Sequence, residues 1–346
     1  MRHGASKSCS AASERPAATP ARKGRATVAT AAPVNANRVD PRRYRELNVL
    51  QRMYRCRADY LYVLPSLGVM FLVIGYPIYY TVYLSFFNTP PSLSMDEKSF
   101  AGIENYSRIL ASSRFHEVTW NTTIWTFAST FFAFVLGFGA ALVLNREFPG
   151  RAVTRGVLLV PFVISAVAAS YVWRWIYHSD FGVLGALAVQ MGFSDTPLNF
   201  LDSIDYALPS LIVVNVWKEF PFAMLLMLAG LQTVPDQLLR AATVDGASVW
   251  QRFWHVTVPH LKGVILITVL LLFVQNINHF TIPWVMTGGG PAGASDIWIT
   301  QIYQIAFGRI RFGLASAYSV ILFAVMIVIG YFYVKALAFG DERPNA

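Results

Sequence analysis

Across 346 residues the chain is 55% hydrophobic and only 14% charged, against roughly 45–50% and about 25% in an average soluble domain. Mean hydropathy is +0.45, and the apolar residues gather in runs of about 20 or more, the length that crosses a ~30 Å hydrocarbon core. A soluble globule is thereby excluded, and the expected fold class is all-α: a polytopic membrane protein with six transmembrane helices. The net charge of +9 does not point to nucleic acid, because 13 of the 28 Lys and Arg lie between Arg2 and Arg57, beside the first apolar run, where positive charge reports topology. Cys9 and Cys56 are too far apart for metal-ligand spacing, so neither a disulfide framework nor a zinc site is expected, and no cofactor.

In chain order, residues 1–40 form a basic tail rich in Ala, Ser, Arg and Pro with no apolar period, and such a composition predicts disorder. Residues 41–59 set Leu47, Val49, Leu50, Met53 and Tyr54 among arginines, the pattern of a helix lying on the cytoplasmic surface. The six-span domain, 60–340, has candidate spans at about 60–86, 119–144, 156–177, 207–231, 262–285 and 314–338. Placing the N-terminus inside puts 21 Lys and Arg on the cytoplasmic side against six outside, which fixes the expected orientation with both termini cytoplasmic. Trp173 and Arg174 then end span three as outer-interface anchors. In the last external connection Thr287-Gly288-Gly289-Gly290-Pro291 reads as a flexible turn, since no Lys-Ser/Thr follows to make a phosphate loop. Ile297 to Ile305 reads as an amphipathic helix along the outer surface.

Between spans four and five, residues 234–259 carry the most informative pattern. Thr233, Pro235 and Asp236 predict a helix start. Gly246 interrupts the helix and Pro259 is expected to end it, leaving two short helices at an angle. Small residues (Ala241, Ala242, Gly246, Ala247) permit close approach by another surface, with Trp250, Phe253 and Trp254 alongside. Arg240-Ala241-Ala242, then Gly246, Val256 and Val258-Pro259 resemble, at the same spacing, the shared cytoplasmic motif of the permease subunits of binding-protein-dependent ABC importers; the family's opening acid is Arg240 here. The resemblance implies that 234–259 is a coupling helix seated in an ATP-binding subunit, through Arg240, Ala241, Ala242, Asp245, Gly246, Ala247 and Pro259. Phe100 to Tyr106, Asn121-Thr122, Leu144-Asn145, Asn215-Val216-Trp217 and Thr287 to Pro291 narrow the likeness to carbohydrate-uptake permeases of the maltose and glycerol-phosphate type. It runs from about residue 55 to 340, and the short form resembles the six-span members.

That likeness implies an ABC type I importer permease fold. It also implies a second permease, two ATP-binding subunits and an external sugar-binding protein as partners, with no nucleic acid, in a bacterial inner membrane. The chain itself carries no Walker A loop and is not expected to be an enzyme.

Polar residues within the spans mark a transport route. Lys and Asp each cost roughly 2.5–3.5 kcal/mol at the centre of a span and Glu should be comparable, so Lys218 and Glu219 are expected to avoid lipid. Pro221 removes a backbone bond to residue 217, predicting a break in span four. In span five Gln275, Asn276 and His279 fall three or four apart and can share one face, either to bind helices together or to meet substrate. In the maltose-type permease, sugar contacts fall at positions matching Asn215, Lys218, Glu219, Phe222, Asn276 and His279; only Asn215 and Asn276 keep the residue type. Phe162 is a further stacking candidate. Amides and an aromatic face suit a polyhydroxylated ligand, and the Lys218 ammonium also suits a phosphate. The alternative, an ion-coupled secondary transporter, uses Lys218 and Glu219 without requiring the 234–259 element.

Overall fold

A computed structural model describes residues 57–90, 98–192, 195–196 and 198–341. The expected tail and most of the expected surface helix at 41–59 lie outside the described residues. The chain divides into two units, Met1–Gly68 and Val69–Ala346, and the second carries almost everything discussed below.

The described elements are helical apart from one short antiparallel pair, β1 (Phe87–Asn88) and β2 (Ser99–Phe100), in which Phe87 faces Phe100. The helices are α1 (Arg57–Met70), α2 (Tyr76–Ser85), α3 (Glu104–Leu110), α4 (Ser113–Leu144), α5 (Arg151–Val163), α6 (Ala166–Ile176), α7 (Val183–Gln190) and α8 (Ala207–Leu231). They continue as α9 (Asp236–Val244), α10 (Val249–Arg252), α11 (Val258–His260), α12 (Lys262–Ile277), α13 (Thr281–Met286), α14 (Trp298–Tyr303) and α15 (Phe312–Asp341). Among the described residues, five stretches are long and apolar enough to cross a membrane: Tyr62–Ser85, Ser113–Leu144, Ala207–Leu231, Lys262–Met286 and Phe312–Lys335. The sixth expected span is a pair, α5 and α6, bent by 95°, so span three is not a straight crossing.

The fourth span, α8, is the axis of the bundle. Its most apolar window is 67% buried, against 6–33% for the other four, and it packs chiefly on α4, α5 and α12. Pro221 does not break it: the helix runs unbroken through 25 residues, because a lost backbone bond inside a packed helix is absorbed by its neighbours. α4 approaches it closely at Gly137. A Cβ there would lie 2.6 Å from the Ala223 Cβ and the Phe220 carbonyl and 2.8 Å from the Met224 amide. Small residues of this kind let two backbones touch without a solvophobic drive. Gly137→Val is expected to destabilise the folded protein by about 1–3 kcal/mol through overpacking, read as a lowered thermal midpoint in detergent; an unchanged midpoint would refute so tight a crossing.

One expectation at the 286–313 end is corrected. The helix starting at Trp298 is core rather than surface: Ile297, Trp298, Thr300, Gln301 and Ile305 are all buried, with the Trp298 ring stacked on Phe115 at 5.7 Å. The region is aromatic enough to read as interfacial, but the sequence does not reveal which neighbours will cover it. Trp173 is half-buried, its ring edge-on to Trp217 at 5.5 Å and close to Tyr177, while Arg174 is exposed.

Candidate functional site: a propped bend, a polar seam and an exposed helix pair

The bend between α5 and α6 falls at Ile164 and Ser165, both extended (ψ 135 and 137). Among the described residues no backbone amide reaches the carbonyls of Pro161 and Ile164. The end of α5 also carries the negative pole of its dipole. Lys218 satisfies both: its Nζ donates to Ile164 O at 2.8 Å and to Pro161 O at 3.4 Å. The buried ammonium of α8 thus props the bend of span three. Glu219, equally buried at 8% exposure, has no hydrogen-bond partner among the described residues. Phe222, one turn on, stacks with Phe162 of α5 at 6.1 Å and 21°.

The amides form a seam across three spans. Asn215 Nδ2 donates to Asn276 Oδ1 at 2.7 Å, Asn276 Nδ2 donates to Thr130 Oγ1 at 3.0 Å, and Trp125 Nε1 donates to the Asn276 carbonyl at 2.9 Å. Asn215 and Asn276 are wholly buried and hold α4, α8 and α12 together. The shared face expected for Gln275, Asn276 and His279 is not formed. Gln275 is exposed while Asn276 is buried, and α12 ends at Ile277, so His279 sits on a non-helical corner before α13. The His279 ring lies 6.1 Å from Trp125, and its Nε2 is buried without a partner among the described residues.

At the other end of α8 the 234–259 element is built as two helices. α9 closes with a Schellman turn: Ala247 N donates to Ala242 O at 2.9 Å and Gly246 N to Thr243 O at 3.1 Å. That turn requires a left-handed residue, and Gly246 supplies it at φ +78. α10 opens with a capping box between Ser248 and Gln251, and Arg252 reaches back to Thr243 Oγ1 at 2.6 Å, fixing the angle between the helices. Leu239 packs into the bundle, while Arg240, Ala241, Asp245 and Gly246 are exposed and Ala242 and Ala247 half-buried. The expected helix start holds, with α9 opening at Asp236 behind Pro235, while the Thr233 hydroxyl donates to Gly230 O. One reading is corrected: Pro259 does not end the helical run, since a π turn, Phe253–Thr257, precedes it, the wider winding accommodating a residue with no N–H. Pro259 itself is exposed within α11.

One cluster escaped the sequence reading. Arg114, at the start of α4, donates to Asp296 Oδ2 at 2.8 Å across 182 positions, and its guanidinium lies where a Cβ on Gly293 would have to go. Thr300 also donates to Asp296, and Ser295 Oγ bonds to Gly290 O. The glycine-rich segment is therefore a cross-linked loop rather than the flexible turn expected. A signal existed: Asp296 is the single acid between Asp245 and Asp341. Burial lifts its carboxyl above the usual carboxylate range, against the opposing pulls of Thr300 and Arg114. A raised folded value means that the folded state holds the proton more tightly than the unfolded one. Its stabilising contribution is therefore full below about pH 4 and is lost as pH rises through the raised value. We expect the thermal midpoint to carry a component that falls with rising pH in that range and is absent in Asp296→Asn; identical pH profiles would contradict it.

Residues 133–339 match the family described as binding-protein-dependent transport system inner membrane component. The chain is 33% identical over 289 residues to the trehalose/maltose transport system permease protein MalF of Thermococcus litoralis, covering 83% of this chain and 95% of that protein. It is 34% identical over 297 residues to the trehalose transport system permease protein SugA of Mycobacterium tuberculosis, covering 85% and 92%. A solved bacterial ABC transporter involved in the import of the acidic polysaccharide alginate has a chain of similar fold, with TM-score 0.70 and 20% identity, covering 86% of this chain and 99% of that one.

Proposed function

The chain belongs to the binding-protein-dependent transport system inner membrane component family, and from that premise we propose a route, a set of contacts and an assembly for it. It is a multi-pass inner-membrane permease of an ABC importer for sugars or sugar-like compounds, a non-catalytic component that works with an ATP-hydrolysing subunit and an external binding protein. The finer reading is that this permease pairs with a second one, that each of two ATP-binding subunits receives one helix pair, and that both termini are cytoplasmic. The observation carrying it is the exposed α9–α10 pair, whose angle is fixed by the Gly246 turn and the Arg252 to Thr243 bond while its outer face is left free for a partner. Small side chains at Ala241, Ala242 and Ala247 then seat the pair, and Arg240 meets the partner surface.

For substrate, Glu219, Phe222, Gln275 and His279 are the contacts, with Phe162 as a second ring. Lys218, Asn215 and Asn276 position them: the Lys218 ammonium holds the bend, and Asn215 Nδ2 and the Asn276 side chain hold the seam, with Asn215 Oδ1 left over. A neutral disaccharide-like sugar fits this division, since it needs amide, carboxylate and aromatic partners rather than a free ammonium. The test is uptake of labelled trehalose and maltose into vesicles holding the full assembly. ATP and the binding protein should both be required, with ion gradients collapsed. Uptake that continued with non-hydrolysable nucleotide once an ion gradient was restored would favour an ion-coupled carrier.

A further inference from the structure

A polar cavity of about 390 Å³ opens at the end of the bundle opposite the α9–α10 pair, lined by Arg174 in the last turn of α6, Tyr177 and His178 just after it, Asn199 and Asp202 before α8, and Trp284 to Thr287 at the end of α13. Its volume falls within the range of roughly 300–1,000 Å³ typical of small-molecule clefts.

The hydrogen-bonding state of the lining narrows the ligand. Among the described residues, the Arg174 guanidinium and the Asp202 carboxylate have no partner, although both face one cavity. Asn199 uses only its oxygen, accepting from Asp202 N at 3.3 Å, which leaves its amide donors unused. His178 uses only Nδ1, accepting from Asp180 N at 3.2 Å. The backbone amides of the glycine segment, by contrast, are spent: Gly288 N donates to Pro283 O and Trp284 O, Gly289 N to Thr287 Oγ1, and Gly290 N to Thr287 O. The glycine segment thus offers no anion cradle of main-chain N–H groups. What remains is one cation, one anion, an amide, an imidazole and the indole of Trp284. That set offers donors and acceptors in balance beside an apolar ring and suits a neutral polyhydroxylated molecule better than a phosphate.

One short helix separates the cavity from His279. α13 carries Trp284 near one end and follows His279 and Phe280 at the other, and the Phe280 and Trp284 rings are stacked at 5.6 Å and 18°. Five residues of helix span about 8 Å, less than the length of a disaccharide. We propose that this cavity is a receiving site for the sugar on the permease itself, where Arg174, Asn199 and Asp202 bind hydroxyl groups and Trp284 covers a sugar face before the molecule moves down along α13. The proposal rests on the sugar-import reading above.

The test uses the assembled transporter in vesicles, with Ser179→Cys introduced at the cavity wall and Cys9→Ser and Cys56→Ser removing the native thiols. Labelling by a membrane-impermeant thiol reagent is followed with trehalose present and the binding protein absent. Trehalose, but not betaine at equal osmolarity, should slow labelling at least about threefold, and Arg174→Gln or Asp202→Asn should raise the protecting concentration about tenfold. No protection by trehalose overturns the proposal. So does protection that needs the binding protein and ignores the sugar, which would make the cavity a seat for a protein loop. ATP-driven trehalose uptake in the same vesicles separates the two claims: uptake without protection removes the receiving site alone, and protection without uptake counts against import alone.

Discussion

Lys218→Met should leave the protein inserted and nearly as stable as before, yet cut ATP-driven sugar uptake at least about tenfold. Losing the charge relieves roughly 2.5–3.5 kcal/mol of insertion cost. Two orphaned carbonyls, Pro161 O and Ile164 O, return about 1–3 kcal/mol each. These terms are of similar size, so the effect is expected in shape rather than in stability. Spin labels at Val157 and Val172, both exposed and on opposite sides of the bend, should give a narrow distance distribution in the wild type and a broad one in the variant. An unchanged distribution would mean that the bend holds itself. Uptake lost only for anionic substrates, with the bend intact, would instead make the ammonium a substrate ligand.

Gly246 yields the second large effect. Among the described residues nothing lies within 4 Å of where a Cβ would sit, but its φ is +78. The constraint is therefore backbone handedness rather than room. Valine at that φ costs roughly 1–2 kcal/mol or more, enough to reshape an exposed turn while leaving the buried spans untouched. Asparagine tolerates the left-handed region. We expect Gly246→Val to raise ATP hydrolysed per sugar imported by more than tenfold and Gly246→Asn to stay within about threefold of wild type. If both variants behaved alike, the Schellman geometry would not be what the partner recognises.

The spans were legible because apolar length is a direct readout of bilayer thickness, and the helix pair at 234–259 because glycine and small-residue spacing is local. What the sequence withheld was pairing across distance. Nothing near Lys218 says that its ammonium will find carbonyls more than 50 positions upstream, so Pro221 drew attention to span four while the bend lay in span three. Gln275, Asn276 and His279 fit one helical face on paper, but α12 stops at Ile277 and leaves His279 on a corner, while Gln275 is exposed and Asn276 buried. Asp296 and Arg114 are 182 positions apart, and only the scarcity of acids in that half of the chain hinted at a buried pair.

Because the third span is held in its angle by a neighbour's side chain, its geometry is borrowed. From Lys218 to Leu231 the fourth span is an unbroken rod of about 20 Å, and α9 begins five residues later. On the proposed seating of an ATP-hydrolysing subunit against α9–α10, a push on that outlying pair has one continuous helix to travel along before it meets the ammonium at the kink.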